Sequence, residues 1–314
     1  MVRKNGTELM KEKLISVVIP VHNEEGNIKL VYRETKKVME EIKQEKGYEY
    51  EIIFVNDGST DRTLEILRNL KTQDKNLRIL NMDRNRGEAA GLTAGFRFAK
   101  GIYIFTMDGD GQNDPKYFKE FLLKLEKGYK VVTGYRVKRK EPLLTRKIPS
   151  RIANKLISVV TGLKVRDNGC SLKGYLAEIP KKVQIPHGFH RFLPALFGVR
   201  NEEVLEIPVL DRKRYWGKSH YGLKRTFEVL RDLITFPFIM KKPLFFEKFF
   251  KCGFLICFSA GLLVILWIFL KFSFIKVFLE LIFLSAAGIS FLIYKNLKRF
   301  NKAQREGVFI VEEL

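Results

Sequence analysis

Short apolar runs alternate with helical stretches through the first 136 positions of the chain. Runs such as Leu14–Ile19 and Ile102–Met107 are rich in β-branched and aromatic residues, which is typical of buried parallel strands. The pattern predicts strands at Leu14–Ile19, Tyr50–Val55, Leu77–Met82, Ile102–Met107 and Lys130–Thr133, and helices at Glu24–Glu45, Asp61–Leu70, Gly91–Ala99 and Lys116–Leu125. Strands that alternate with helices indicate an α/β domain built on a mainly parallel sheet.

The C-terminal third is apolar over much longer stretches. Cys252–Leu270 contains 19 residues without a charge, and Val277–Tyr294 contains 18 residues interrupted only by Glu280. A helix of that length spans roughly 27 Å, close to the hydrocarbon thickness of a bilayer. We therefore expect two transmembrane helices.

A third helical pattern, Leu223–Phe236, precedes these spans and should stop at Pro237. Its apolar residues fall on one face and its charged residues on the other. The apolar face holds Phe227, Leu230, Leu233 and Ile234, and the charged face holds Lys224, Arg225, Arg231 and Asp232. Such a helix lies in the membrane interface or packs onto the soluble domain, and the sequence leaves both options open.

Cations flank the two apolar stretches on their outer sides. Lys241, Lys242, Lys248 and Lys251 precede the first, and Lys295, Lys298, Arg299, Lys302 and Arg305 follow the second, whereas only Lys271 and Lys276 lie between them. The positive-inside rule places both flanks in the cytoplasm. We expect a cytoplasmic α/β domain (1–222), juxtamembrane amphipathic helices (223–250), a transmembrane hairpin (251–295) and a cytoplasmic tail (296–314) in the cell membrane.

The 314-residue chain carries a net charge of +22, from 57 Lys and Arg against 35 Asp and Glu. Such an excess indicates anionic partners. The cations concentrate beside the apolar stretches, which argues against nucleic acid.

Three cysteines and four scattered histidines show no zinc spacing. Val308–Val311 is a strand-like run that could pair with another sheet edge, so the chain could form a homo-oligomer.

The first candidate chemistry lies at Asp108-Gly109-Asp110, which ends a predicted strand. Open α/β sheets bind ligands at the carboxyl ends of their strands. Two carboxylates there suit Mg²⁺ or Mn²⁺, which take oxygen ligands and share them with substrate phosphates. A strand-end turn with solvated acids is the plainer alternative for this pattern taken alone.

Polar segments also follow three other predicted strands, at Pro20–Glu25, Asn56–Asp61 and Asn85–Gly87. Since the carboxyl ends of parallel strands share one edge, we expect these segments to converge with Asp108. Thr60 and Asp61 read best as the start of a helix. The candidate ligand-binding residues of this edge are Pro20, Asn23, Glu24, Asp57, Asn85, Gly87, Asp108, Gly109 and Asp110.

These segments carry a family resemblance. Val18–Glu25, Val55–Asp61, Asn85–Gly95 and Met107–Pro115 resemble the signature of family 2 glycosyltransferases with a GT-A fold. Asp108–Gln112, Arg146–Asn154, Asp167–Tyr175 and Gly217–Tyr221 resemble the polyprenyl-phosphate glycosyltransferases, such as dolichyl-phosphate mannose synthase, in a membrane-anchored branch. The resemblance covers roughly residues 14–240.

The resemblance implies an inverting, metal-dependent transfer of a sugar from a UDP- or GDP-linked donor to undecaprenyl or dolichyl phosphate. It assigns donor binding to the nine candidate residues of the sheet edge, and the nucleobase among them to Asp57. It assigns the metal to Asp108, Asp110 and Gln112, and catalytic roles to Asp110 and Asp167. Asn56 replaces the first of two family aspartates, and His220 replaces the Lys or Asn of a G-x-S-K/N-Y motif. Asp167 would orient the reacting groups, holding Arg146 or Lys218, or would act as a general base.

An anionic acceptor must be held beside an anionic donor, which calls for cations. The candidate acceptor-phosphate residues are Arg136, Arg146, Arg151, Arg212, Lys218 and Ser219, although basic residues beside a membrane can also simply face lipid headgroups. Two other functions remain open: extension of a polysaccharide or glycolipid, and a non-catalytic membrane scaffold that binds nucleotide sugars.

Overall fold

The computed structural model describes residues 13–137, 155, 157–213, 216, 223–270, 273–305 and 312–314. Its strands are β1 (Leu14–Val21), β2 (Glu49–Asn56), β3 (Leu77–Asn81), β4 (Tyr103–Thr106), β5 (Val131–Arg136), β6 (Lys173–Leu176), β7 (Val204–Val209) and β8 (Glu312–Glu313). Its α-helices are α1 (Ile28–Lys46), α2 (Thr63–Lys71), α3 (Glu88–Phe98), α4 (Phe118–Glu126), α5 (Leu193–Leu196), α6 (Leu223–Lys241), α7 (Pro243–Leu270) and α8 (Phe274–Arg305).

The strands form one mixed sheet in the order β7-β5-β6-β4-β1-β2-β3-β8. The central strands β4, β1, β2 and β3 are mutually parallel, as the alternating pattern predicts. Their interiors are fully buried in a core that also takes the apolar faces of α1 and α4. The predicted α/β class with a mainly parallel sheet is therefore confirmed.

All four predicted helices of the α/β domain begin at other residues than the periodicity predicts, α2 and α4 by two residues each. The first starts at Ile28 rather than Glu24, because the backbone carbonyl of Glu24 accepts hydrogen bonds from the N–H groups of Asn27 and Ile28 in a preceding turn. The third starts at Glu88, three residues before the predicted Gly91. Its first turn follows directly from Gly87, whose φ of 87° suits glycine.

Strands β6 and β7 have no counterpart in the sequence prediction. β6 is only four residues long and lies antiparallel between β4 and β5. Gly174 in its centre faces Phe105, whose ring carbons lie 3.0 Å from where a Cβ would stand. A strand this short, containing a lysine and a glycine, is specified by its neighbours rather than by its own propensity.

The chain folds into two compact units: 1–141 with 165–219 and 308–314, and 142–164 with 220–307. The first unit holds the sheet. At its edge, β8 pairs antiparallel with β3, and the backbone groups of Ile79 and Leu314 exchange two hydrogen bonds. Arg78 joins Glu51 and Glu313 on this edge. The predicted pairing segment, Val308–Val311, lies outside the described residues.

Within the second unit, α7 and α8 are packed against each other, and each contains a stretch long and apolar enough to cross a membrane. The first stretch, Pro243–Ile268, begins before the predicted span and ends two residues short of it, whereas the second, Phe274–Lys302, extends beyond its predicted span at both ends. Glu280 is nevertheless buried, with its carboxylate oxygens 3.3 and 3.5 Å from a Cβ built on Gly261 of α7. The absence of a side chain at Gly261 makes room for it.

The prediction that the juxtamembrane helix stops at Pro237 is wrong, because α6 continues to Lys241. Proline fixes φ near a helical value and removes one N–H donor, so its cost is limited to the local hydrogen bond and a kink. Buried Phe236 and Ile239 lie on either side of it.

Asp232, which the pattern places on the charged face of this helix, lies in the interior. Asp232 is completely buried and accepts hydrogen bonds from Asn296 (3.1 Å) and Arg299 (3.0 Å) of α8. Ile234, predicted on the apolar stripe with Leu233, is half exposed. Periodicity misses such a pairing because a buried carboxylate is tolerated only where specific donors meet it.

Candidate functional site

The predicted loops converge at the carboxyl edge of the parallel strands. Gly109 lies directly against the end of β1, where a Cβ would overlap Val21 Cγ1. A side chain at this position would collide with the strand, so glycine is required for the turn to pack here. The turn thereby holds Asp108 and Asp110 at the end of β4, next to the loop that follows β1.

Asp108 is fixed from two sides. Its backbone N–H donates to Asn113 Oδ1 at 2.9 Å, and Ser171 Oγ lies 2.7 Å from its Oδ2. Burial of the carboxyl and the negative charges of Glu88 and Asp110 raise the pKa of Asp108 to about 8. The edge therefore concentrates more negative charge than the protein alone neutralises, which favours a bound cation.

Asp110 lies close to that carboxyl in sequence and is itself buried, with Oδ1 accepting the N–H of Gln112 at 3.0 Å. Gln112 donates from Nε2 to the Arg212 carbonyl at 3.4 Å. Among the described residues, no three His, Cys, Asp or Glu side chains are grouped to hold a metal ion. Two carboxylates fit a divalent ion that completes its shell with substrate phosphates and water.

Asp57 supports the neighbouring loop with both of its carboxylate oxygens. Oδ1 accepts the N–H of Arg86 at 2.6 Å and Oδ2 that of Gly87 at 2.8 Å. The side chain of Asn56 is directed toward β3, where its Nδ2 donates to Asn81 Oδ1 at 2.8 Å. Asp57 thus shapes the loop that begins α3, and its predicted contact with a nucleobase stays a prediction.

We expect Asp57→Ala to lower the free energy of unfolding by about 1–3 kcal/mol, because the partly buried backbone N–H groups of Arg86 and Gly87 lose their charged acceptor. Asp57→Asn keeps one acceptor oxygen, so its free energy of unfolding should lie between those of Asp57→Ala and the wild type. Chemical unfolding in detergent, followed by near-UV circular dichroism, measures both variants. Equal stability of the Ala variant and the wild type would contradict the supporting role.

The loop after β1 is joined to the loop after β2. Asn23 has a φ of 55°, and its Oδ1 accepts the N–H of Thr60 at 2.8 Å. The Glu24 N–H donates to Thr63 Oγ1 at 2.9 Å, and Asp61 Oδ1 accepts the Thr63 N–H at 2.9 Å. Asp61 therefore stands at a helix start, as expected, although α2 begins two residues later.

Two further donor candidates fit this edge. Pro20 packs against α3, with its Cβ 3.2 Å from a Cβ built on Gly91. Asn85 passes so close to Gly58 that a Cβ on that glycine would collide with the Asn85 backbone nitrogen. All nine candidate donor residues thus lie in loops or strand ends of this edge.

Asp167 forms a bidentate ion pair with Arg136. Oδ2 accepts from Nε at 2.7 Å and Oδ1 from Nη2 at 2.9 Å, and the Arg136 backbone N–H adds a third bond at 3.1 Å. Asp211 lies 3.5 Å from Nη1. These carboxylates raise the pKa of Arg136 despite its burial. The predicted cationic partners of Asp167, Arg146 and Lys218, lie outside the described residues.

Arg212 is held by carboxylates as well. Its guanidinium contacts Glu34 at 2.5 Å and Asp114 at 2.9 Å, and its backbone N–H donates to the Gln112 carbonyl at 2.8 Å. It therefore fixes the loop that carries Asp110. Four of the six acceptor candidates, Arg146, Arg151, Lys218 and Ser219, fall outside the described residues.

Sequence reasoning missed Ser171, Asn113 and the pair of His190 and Glu88. Ser171 and Asn113 contact each other at 2.8 Å and both contact Asp108. His190 Nε2 lies 3.4 Å from Glu88 Oε2 in the first turn of α3. Asn113 could have been found from its position three residues after Asp110, but Ser171 depends on the unpredicted strand β6.

The chain is similar in sequence to a known protein family and to characterised members of it. The profile described as "Glycosyl transferase family 2" matches residues 16–183. The chain is 39% identical over 231 residues to dodecaprenyl-phosphate galacturonate synthase of Rhizobium johnstonii, covering 72% of this chain and 67% of that protein. It is 34% identical over 224 residues to undecaprenyl-phosphate 4-deoxy-4-formamido-L-arabinose transferase of Photorhabdus laumondii, covering 71% and 67%.

Solved structures with a similar fold are more distant in sequence. Glucosyl-3-phosphoglycerate synthase from Mycobacterium tuberculosis, in complex with Mn²⁺, UDP-glucose and phosphoglyceric acid, has a TM-score of 0.51 at 15% identity and covers 72% of this chain and 79% of that one. A second mycobacterial protein has a TM-score of 0.53 at 19% identity, covering 72% and 74%. Both likenesses concern the fold.

Proposed function

The chain belongs to glycosyl transferase family 2 and has its GT-A fold, and we propose that it transfers a sugar from a nucleotide sugar to a polyprenyl phosphate with inversion. The two named relatives act on dodecaprenyl and undecaprenyl phosphate. The observation that carries the proposal is the loop 167–171, which joins the ion pair of Asp167 and Arg136 to the acidic strand end at Asp108.

The acidic half suits a nucleotide-sugar donor. Asp108 and Asp110 would hold Mg²⁺ or Mn²⁺, with Gln112 as a further candidate ligand. When bound, the metal neutralises the charge that develops on the departing diphosphate. Asp57 keeps the N–H groups of Arg86 and Gly87 engaged, and so fixes the loop that would line the donor pocket.

The half of the site around Arg136 would hold an acceptor phosphate. A phosphate monoester has a second pKa near 6, so it is largely ionised at neutral pH and needs little deprotonation. One of its oxygens would form a bond to the anomeric carbon, while the bond from that carbon to the diphosphate breaks and the nucleoside diphosphate leaves with the electron pair. Arg136 would offset the repulsion between acceptor and donor, and Asp167 would hold its planar guanidinium in place.

A donor screen tests this function. Detergent-purified protein is incubated with a short polyprenyl phosphate, Mg²⁺ or Mn²⁺ and a set of UDP- and GDP-sugars. We expect one donor class to give a lipid-phosphate-linked monosaccharide whose anomeric configuration, read by NMR, is opposite to that of the donor. Transfer to a saccharide alone would favour polysaccharide extension, and nucleotide-sugar binding without transfer would favour a scaffold.

We propose that the hairpin α7–α8 anchors the chain in the cell membrane, with the catalytic domain and the tail in the cytoplasm. The cations outside the two apolar stretches favour this orientation. The pairing of β8 with β3 gives independent support. A strand that follows the second span can join the sheet only if it lies on the same side of the membrane.

Cysteine labelling tests the topology. In a background that lacks Cys252 and Cys257, Lys127→Cys and Lys298→Cys should be labelled by an impermeant maleimide only after the cells are opened, whereas Ser273→Cys should react from outside. Cys170 should not react with the maleimide, because burial raises the pKa of its thiol to about 11. Labelling of Lys298→Cys in intact cells would overturn the hairpin.

A further inference from the structure

Lys173 on β6 is a buried cation with no part in the transfer described so far. Only 2% of its surface is exposed. Its Nζ donates hydrogen bonds to the backbone carbonyl oxygens of Asn168, at 3.3 Å, and of Cys170. Burial lowers the pKa of this ammonium group. Burying an ammonium group costs free energy unless hydrogen bonds compensate for the lost water, so the two carbonyl groups that Lys173 contacts are central to its role.

Those two carbonyl groups belong to the loop that joins the halves of the candidate site. At one end, Asp167 holds Arg136 through the bidentate pair. At the other end, Ser171 Oγ lies 2.7 Å from Asp108 Oδ2 and 2.8 Å from Asn113 Oδ1. Only residues 168–170 lie between these contacts, and Lys173 binds that segment.

The segment has little freedom to shift without disturbing the ion pair. A Cβ built on Gly169 would stand 3.4 Å from Arg136 Nη2 and 3.9 Å from Asp167 Oδ1, so the loop backbone runs close to the guanidinium group. A displacement of the loop by about 1 Å at such a site can cost on the order of 10²-fold in rate.

We infer that Lys173 is a positioning residue, whose ammonium group holds the 168–170 segment so that Asp167 and Ser171 stay aligned with Arg136 and Asp108. The inference rests on the proposed function for its effect on turnover. Lys173 acts only through the loop, by donating to the carbonyl groups of Asn168 and Cys170.

Three variants of the full chain test the inference. Lys173→Met keeps the length of the side chain but removes the donor, and Lys173→Arg keeps a charged donor. Arg78→Met is the matched control, because Arg78 is also a largely buried cation but pairs with Glu51 and Glu313 on the β8 edge of the sheet. Lys173→Gln, which keeps an uncharged donor, replaces Lys173→Met if that variant does not fold.

For Lys173→Met we expect kcat to fall by about 10- to 100-fold, with the KM for the nucleotide sugar changed less than about threefold. Lys173→Arg should recover at least part of the lost kcat. Arg78→Met should unfold at a lower temperature with kcat per folded molecule unchanged. Unchanged kcat in Lys173→Met, or an equal loss in Arg78→Met, would overturn the positioning role.

Hydrogen–deuterium exchange supplies a readout that does not depend on activity. The amides of residues 167–171 should exchange faster in Lys173→Met than in the wild type and in Arg78→Met. Unchanged exchange there would overturn the inference. If the wild type transfers no sugar but this exchange rises, the proposed function fails while the loop-holding role of Lys173 stands.

Discussion

Replacing Asp108 or Asp110 by Asn is expected to lower kcat by at least about 10²–10³-fold while the protein remains folded. Each change removes one negative charge and leaves a side chain of the same shape. The charge that develops on the leaving diphosphate would then lack a properly held cation. At Asp108 the fold should gain rather than lose stability, because burial and neighbouring acids already disfavour the ionised carboxyl.

Single-turnover rates, with metal content read by mass spectrometry, measure this effect. EDTA should reproduce the loss in the wild type, and added Mg²⁺ or Mn²⁺ should restore it. Gln112→Ala is the graded control and should lose less, since a neutral amide contributes less charge than a carboxylate. Full activity in EDTA with no bound metal would refute the metal role of both aspartates.

Asp167→Asn should lower turnover by about 10²-fold with donor affinity near normal, because Arg136 loses the carboxylate that orients it. The pH–rate profile of the residual activity should keep its shape, since an acceptor that is already ionised needs no base. Arg136→Lys should show a comparable loss, because lysine cannot form the bidentate pair.

Steady-state kinetics across the pH range separate this role from general-base catalysis. A general base would give the wild type an acidic limb that disappears in Asp167→Asn. The double variant Asp167→Asn/Arg136→Lys should be little worse than either single variant, as expected of two residues that act as one unit. Additive losses would show that they act separately, and unimpaired turnover of Asp167→Asn would remove Asp167 from the site.

Much of the fold follows from local patterns. The central strands β1–β4, the helices between them and the two long apolar helices all coincide with short or long apolar periodicity. Helix starts were displaced because turns such as the one at Glu24 capture the first backbone N–H groups. The predicted helix end at Pro237 is wrong because a proline interrupts one hydrogen bond without ending a helix that continues to bury apolar side chains.

For the candidate site, too, some residues could be predicted from the sequence and others could not. Asp108, Asp110 and the loops after the first strands could be assigned to one edge from the sequence, because parallel strands carry their carboxyl ends to the same side. The partner of Asp167 could not, since Arg136 lies 31 positions away and reaches it through the unpredicted pairing of β5 with β6. Ser171 and Lys173 were missed for the same reason.

Local patterns along the chain are enough to recognise the α/β class, the acidic strand end, the excess of cations beside two apolar helices and the family resemblance. Each of these is a property of neighbouring residues and of their spacing. The tertiary structure alone decided which charges meet: Arg136 with Asp167, Asp232 with Asn296 and Arg299, and Lys173 with two carbonyl groups. Burying a charge is favourable only where complementary groups converge, and that convergence exists only in the folded chain.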